Sequence, residues 1–373
     1  MEHGYRAWAG ICVLSFVFGF PLEMVEKSLT QLMDRLAQYR VDSIRIPFER
    51  SLIVVQQLRG SSPNRVNWKK IREDLLIPSA RNIQRSVSER TERRYLYWSY
   101  IQLAFLFRKF DIAYALVEPL ERLSKTDDSG YHLVSVRLFY TGLIASSLAR
   151  IHIRTRRYKL QAKKSAREMK ATIIKQKAIN NLHRYQLMIA DMLAMEPKKS
   201  FGEIKAAYDK GIATAGRAGF TQDTAIGNEL AAEYCLSMGE EFWAKTYLNR
   251  AYELYKEWGA EVKLETLLET RGSYIDVAPD IHGKGSWRRS ISRIWGQEHD
   301  ILIHECVNLD KLTMASQTLM TDLSATLDED RSLLRRFSGV SPMFNSDSSS
   351  WHAFASSDDS TTSFENEIAS IKV

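Results

Sequence analysis

The stretch AAYDKGIATAGRAGFTQDTAIGNELAAEYCLSMGEEFWAKTYLNRAYELYKEWG (206–259) decides the fold class, because it contains three amphipathic segments in which small residues recur at helical spacing. An alanine at a helix contact lets two helix axes approach to about 8–10 Å, and large side chains then fill the remaining gaps. The order of small and large residues is typical of a tetratricopeptide helix–turn–helix. It is carried by Ala232, Gly239, Ala244, Leu248 and Ala251.

Aromatic residues of the same stretch are expected to fill the gaps beside these small residues. They are Tyr234, Phe242, Trp243, Tyr247 and Tyr252. Degenerate copies of the pattern recur upstream at irregular intervals, around Phe110, Tyr158 and Phe201. We therefore predict an all-α fold, a tetratricopeptide-like helical-repeat solenoid that occupies 1–272. Repeat proteins of this kind usually bind other molecules rather than catalyse reactions.

The periodicity predicts a succession of helices with short connections. Gly219 and Gly239 are predicted to end helices, and GSSPNRVN (60–67) and KTDDSG (125–130) to form loops. The predicted helices are 4–18, 21–40, 43–59, 81–108, 111–125, 131–153, 157–178, 181–195, 200–217, 221–238, 240–257 and 260–270.

The C-terminal part of the chain departs from this pattern. We predict a linker at 273–300, a single helix at 301–325 and a mostly disordered tail, rich in Ser and Asp, at 338–373. Apolar residues along 301–323 would allow this segment to form a homodimer through a coiled coil or to dock within its own chain.

Cysteine usage and the N-terminus bear on localisation. Cys12, Cys235 and Cys306 lack metal-ligand spacing and are predicted to be reduced, buried thiols. The apolar stretch AWAGICVLSFVFGF (7–20) is too short to span a bilayer and has no cleavage site, so we predict the first solenoid helix there rather than a signal peptide. Cytoplasmic localisation without a membrane span is the expectation.

Motifs for catalysis or cofactor binding are not found in the sequence. It has no kinase glycine loop, Walker A motif or phosphoacceptor histidine box, and HGKGSW (282–287) lacks the first glycine of a phosphate loop. His299 and His304 form at most a weak metal-binding pattern. We predict a protein that is not an enzyme and has no cofactor or metal.

A strongly basic segment lies between Arg150 and Lys177, where Glu168 is the single acidic residue, in a chain of net charge +7. A solvated helix face, an acidic protein partner, and nucleic acid or lipid headgroups could each explain it. Tyr158 is the only Phe, Tyr or Trp within the run. Aromatic residues that would stack on bases are therefore missing, and nucleic acid is not expected. The candidate partner-binding residues are Arg154, Arg156, Arg157, Lys163, Lys164 and Arg167.

Most of the segment 1–325 resembles, loosely before residue 150, the helical region of large hybrid signalling kinases. In those proteins this region lies between a STAND-type AAA ATPase and a GAF sensor followed by a histidine kinase. The resemblance is strongest over 200–262, and LDKLTMASQTL (309–319) more weakly resembles the helix that leads into the GAF domain. The matching residues are Gly219–Phe220, Asp223, Ala225, Asn228–Ala231, Ala244, Tyr247–Leu248, Ala251, Tyr255, Trp258–Ala260, Leu309, Asp310 and Ala315–Gln317.

The resemblance implies a role in signal transduction, of the two-component kind, without the catalytic domains of that family. Two hypotheses follow. The chain is a non-catalytic module that binds a protein partner or a neighbouring signalling domain, or it is a fragment of a larger kinase in which the solenoid relays a signal to catalytic domains outside these residues.

Overall fold

The protein is described from a computed structural model, which covers residues 2–41, 45–76, 87–124, 131–151, 156–176 and 178–276. All regular structure in these ranges is helical, which confirms the all-α class. The α-helices are α1 (Glu2–Phe18), α2 (Leu22–Gln38), α3 (Arg45–Arg59), α4 (Trp68–Leu76), α5 (Val87–Leu106), α6 (Phe110–Ser124), α7 (Tyr131–Ile151), α8 (Arg156–Gln176), α9 (Leu182–Leu193), α10 (Phe201–Arg217), α11 (Thr221–Ser237), α12 (Glu241–Trp258) and α13 (Glu261–Arg271).

The ends of most predicted helices lie within a few residues of the observed ends. Helix α4 is observed but was not predicted. The predicted loop at 60–67 does form, but it ends in a helix cap, because the Asn67 side chain accepts a hydrogen bond of 3.0 Å from the Lys70 backbone N–H. The ring of Trp68 then packs against Phe107 with centroids 6.0 Å apart. A short helix therefore joins α3 to the turn after α5.

The predicted helix ends at Gly219 and Gly239 are confirmed. Both glycines have a left-handed backbone, with φ of +76° and +77°, a conformation that other residues adopt only with strain. Each of these tight turns reverses the chain, so that α10, α11 and α12 follow one another as antiparallel neighbours.

Helix α11 lies at the centre of the stretch that decides the fold, and most of its residues are buried on all sides. Ala232, Ala244 and Ala251 are fully buried, as the spacing of small residues predicts. Tyr234 and Tyr247 are buried beside them. The prediction for Phe242 is wrong: 73% of it is exposed, because it lies in the first turn of α12, on the side away from α11.

Contacts also join the first helices of the chain to the last. Phe16 packs against Trp258 with ring centroids 5.8 Å apart. The Gln222 amide donates a hydrogen bond of 2.6 Å to the Val17 carbonyl at the end of α1. A linear stack of repeats needs contacts only between neighbours, so these contacts are additional to those of the predicted solenoid.

Helix α1 includes most of the apolar stretch 7–20, and its residues Cys12, Phe16 and Val17 are buried in the core. In the described part of the chain, no helix has the length and apolar character needed to cross a membrane. Cys12 and Cys235 are buried free thiols, as predicted. Burial raises the pKa of Cys12 to about 12 and that of Cys235 to about 11, so both thiols stay protonated.

Several predictions fall on residues outside the described ranges. They are the loop 125–130, the linker 273–300 beyond Asp276, the helix 301–325, the dimer segment 301–323, the tail 338–373, the HGKGSW segment, and Cys306, His299 and His304.

Candidate functional site

The candidate site is the outward face of α8, the helix that carries most of the basic segment. Small and apolar residues recur every three or four positions along α8 and bury one side of it: Ala162, Ser165, Ala166, Met169 and Ile173. The opposite side is therefore left to the basic residues. We call this side the α8 basic face. Five predicted partner-binding residues are exposed on it: Arg156, Arg157, Lys163, Lys164 and Arg167.

The α8 basic face borders α6 on one side. The Arg157 guanidinium lies over the Tyr114 ring, 5.3 Å from its centroid, and Lys164 lies 3.9 Å from the Glu121 carboxylate. Burial raises the pKa of Tyr114, so its phenol is neutral and leaves the arginine charge uncompensated. These contacts orient two of the cations: Lys164 faces a carboxylate, whereas Arg157 faces a neutral ring.

On the other side, the α8 basic face borders the end of α9. Lys163 lies 3.9 Å from the Glu196 carboxylate, and both side chains are about half exposed. Exposed pairs of this kind contribute about 0–1 kcal/mol and exchange readily with other partners. Arg156 and Arg167 make no ion pair with any residue that the structure describes. Most of the positive charge is thus available to a ligand.

One member of the basic segment, Arg150, is not part of this surface. Arg154 lies outside the described residues. Arg150, at the end of α7, instead points into the protein, where it pairs with the fully buried Asp191 and lies 3.4 Å from the Tyr208 hydroxyl. Tyr208 also donates a hydrogen bond of 2.7 Å to Asp191. Counting charges along the sequence cannot separate this internal ion pair from a surface cation.

The α8 basic face also carries two apolar side chains, which the prediction from charged residues did not include. Leu160 is 58% exposed and Ile174 is 36% exposed, although both are large hydrophobic residues. A signal for them exists in the sequence, because neither falls on the positions at which α8 buries its small and apolar residues. The exposed residues of α8 are therefore mostly basic, with two apolar positions and one acidic residue, Glu168.

A second cluster of titratable groups is buried between α1, α9 and α11. Asp223 accepts hydrogen bonds of 2.8 Å from His183 Nε2 and from Arg184 Nε. Arg184 also donates to the Val17 carbonyl at 3.2 Å. Burial lowers the pKa of His183, so the ring is neutral near pH 7. At 1% exposure the imidazole is closed to a solute, and the cluster connects helices rather than presenting a catalytic base.

A third cluster joins α5, α11, α12 and α13. The Glu229 carboxylate accepts hydrogen bonds of 2.7 Å from Lys263 and from the Tyr255 hydroxyl. Arg108, which has a left-handed backbone in the turn after α5, reaches Glu233 at 2.9 Å. Asp223 and Tyr255, two of the residues that carry the resemblance to hybrid signalling kinases, thus lie in internal clusters.

No group of His, Cys, Asp or Glu residues in the described ranges could hold a metal ion.

Comparison of the chain with protein-family models, curated proteins and solved structures finds no match. The likeness to hybrid signalling kinases therefore rests on the sequence pattern alone, and it stays a prediction.

Proposed function

We propose that this protein is a non-catalytic helical interaction module of a signal-transduction protein, and that its α8 basic face docks an acidic surface of a protein partner or neighbouring domain. The observation that carries this proposal is the exposure of Arg156, Arg157, Lys163, Lys164 and Arg167 on one face of one helix, with only weak ion pairs around them. Tetratricopeptide-like stacking of helix pairs would give that face a rigid support.

Single-stranded nucleic acid fits the face less well. Single-stranded nucleic acid needs aromatic rings on which bases stack, and Tyr158 on this helix is already packed against Tyr114, with ring centroids 4.9 Å apart. Folded proteins with acidic patches need only complementary charge. The buried free thiols Cys12 and Cys235 suit a reducing compartment, which supports the cytoplasm as the place of action.

Charge reversal tests the proposal. The variant Arg156→Glu, Lys163→Glu, Arg167→Glu should bind a synthetic, unstructured Glu-rich peptide more slowly than the unchanged protein, because attraction between exposed charges acts over a Debye length of about 8 Å at physiological salt. The dependence of the association rate on salt should also flatten. Stopped-flow fluorescence of labelled peptide at low and high salt measures both effects.

A matched control keeps the change in net charge constant. Lys69, Lys70 and Arg72 are exposed on α4, and their reversal to glutamate changes the total charge by the same amount. We expect association to depend more on the α8 residues than on these. Equal loss of rate in the two triple variants would show that the peptide responds to net charge, and would refute a docking surface on α8.

A further inference from the structure

The exposed side of α8 has a regular register. Six residues on this side follow one another at intervals of four and three, and all are exposed except Lys170, which is half-buried: Arg156, Leu160, Lys163, Arg167, Lys170 and Ile174. This is the heptad spacing by which one helix presents a continuous seam to another helix. We call these six residues the α8 seam.

The two apolar residues of the α8 seam occupy the same heptad position. Leu160 and Ile174 are fourteen residues apart, which is two heptads, and their side chains are separated by about 21 Å along the helix axis. Between them the seam is entirely basic. A partner that contacts every residue of the α8 seam must present its own contact residues at a period of about 3.5 residues. An α-helix packed along α8 provides this period.

We infer that the α8 seam is a docking site for an acidic amphipathic helix of a partner protein, whose carboxylates face Arg156, Lys163, Arg167 and Lys170 and whose two apolar residues, two heptads apart, cover Leu160 and Ile174. The inference rests on the proposed function and specifies the chemistry of the partner. Charge complementarity selects the acidic residues, and the two exposed apolar side chains fix the register.

A lipid surface fits the α8 seam less well than a helix does. A helix that lies in a membrane interface inserts a broad apolar face, but the broad apolar face of α8, with Met169 and Ile173, is already buried inside the protein. Two isolated apolar side chains on a basic stripe do not replace it. Binding to anionic vesicles therefore tests the alternative, that the α8 seam binds a lipid surface.

The test uses the full chain and two labelled synthetic peptides as long as α8. In the first, glutamates occupy the heptad positions that face the basic residues, and two leucines stand two heptads apart. The second has the same composition, but its leucines are moved to the opposite side of the helix. We expect the first peptide to bind about tenfold more tightly by fluorescence anisotropy, as burial of two apolar contacts implies, and to gain helical circular dichroism on binding.

Substitutions then locate the effect. Leu160→Gln with Ile174→Gln should remove the difference between the peptides while leaving salt-dependent binding of both. Met238→Gln, at a side chain that is 54% exposed on the turn after α11, is the matched control and should leave the difference unchanged.

The outcomes separate this inference from the proposed function. If both peptides bind equally and tightly, the acidic-partner function stands and the helical register is refuted. If neither binds, both are refuted. Tighter binding to anionic vesicles than to either peptide, abolished by the charge-reversed variant, would also refute both and assign the seam to a membrane surface.

Discussion

Lys263 on α13 and Glu229 on α11 form an ion pair of 2.7 Å although only 1% of the lysine side chain is exposed. The same ammonium group donates a hydrogen bond of 2.7 Å to the Leu106 carbonyl, at the end of α5. The Tyr255 hydroxyl donates a second hydrogen bond to the Glu229 carboxylate. Lys263 thus satisfies two buried acceptors on two helices, and its own charge is compensated by only one of them.

Removal of this ammonium group should destabilise the protein strongly. We expect Lys263→Met to lower the free energy of unfolding by about 3–5 kcal/mol, because it leaves a buried carboxylate short of its main counter-ion. Lys245→Met is the control, since the pair of Lys245 with Asp276 is exposed and contributes about 0–1 kcal/mol. Urea unfolding followed by circular dichroism measures both. Equal midpoints for the two variants would contradict the importance of the buried pair.

Acid should destabilise the protein through its buried carboxylates. Burial acts to raise the pKa values of Asp223, Glu229 and Glu233, but their basic partners outweigh burial and hold all three pKa values below the ordinary range. The unfolded chain then takes up protons before the folded one does, so stability is full above the ordinary carboxyl pKa of about 4 and is lost as pH falls below it.

Thermal unfolding at a series of pH values between neutral and acidic measures this loss. Glu233→Gln removes one of the three carboxylates and should make the melting temperature less dependent on pH in the acid range. A melting temperature that stays constant down to the folded-state pKa values would contradict the prediction.

Close approach of α9, α10 and α11 predicts a difference between two glycines of α10. A Cβ atom on Gly211 would lie 2.8 Å from Leu187 Cδ2 and 3.1 Å from the Leu187 backbone nitrogen, which cannot move aside alone. Gly211→Ala should therefore destabilise by about 1–3 kcal/mol. Gly202→Ala, where nothing lies within 4 Å, should be neutral or stabilising by up to about 1 kcal/mol. Chemical denaturation compares the two, and the opposite order would disprove the close contact.

Enlargement of a buried alanine tests the packing of α12. Ala244 is fully buried, so Ala244→Leu should overpack its surroundings and cost about 1–3 kcal/mol. Ala206→Leu on the exposed side of α10 adds the same atoms without a clash. A lower melting temperature for the first variant alone is the expected result. An unchanged melting temperature for Ala244→Leu would remove that residue from a packed interface.

Helix positions were largely predictable from the sequence because their signals are local. Small residues at Ala232, Ala244 and Ala251 and glycines at turns mark packing and helix ends within one or two residues. Helix α4 escaped prediction because nine residues give too short a periodic pattern. The exposure of Phe242 could not be foreseen, since it depends on how α12 is rotated against α11.

The site was predictable in part. The charge run correctly gives five exposed cations on α8, while Arg150 belongs to an internal pair with a residue 41 positions away. Partners this distant in sequence, like those of Asp223 and Glu229, leave no local pattern. Sequence alone therefore identifies where charge accumulates and does not identify which charges are compensated.

The hydrogen bonds that Gln222 donates to the Phe16 and Val17 carbonyls, across as many as 206 residues of chain, have a consequence for synthesis on the ribosome. At about 5–20 residues per second, α1 waits roughly 10–40 s for α11 to be translated. During that interval Phe16 lacks the indole of Trp258, and the carbonyls at the end of α1 lack their donor. The nascent N-terminal helices therefore expose apolar surface until α12 has been translated. We expect a chaperone to bind them during this interval.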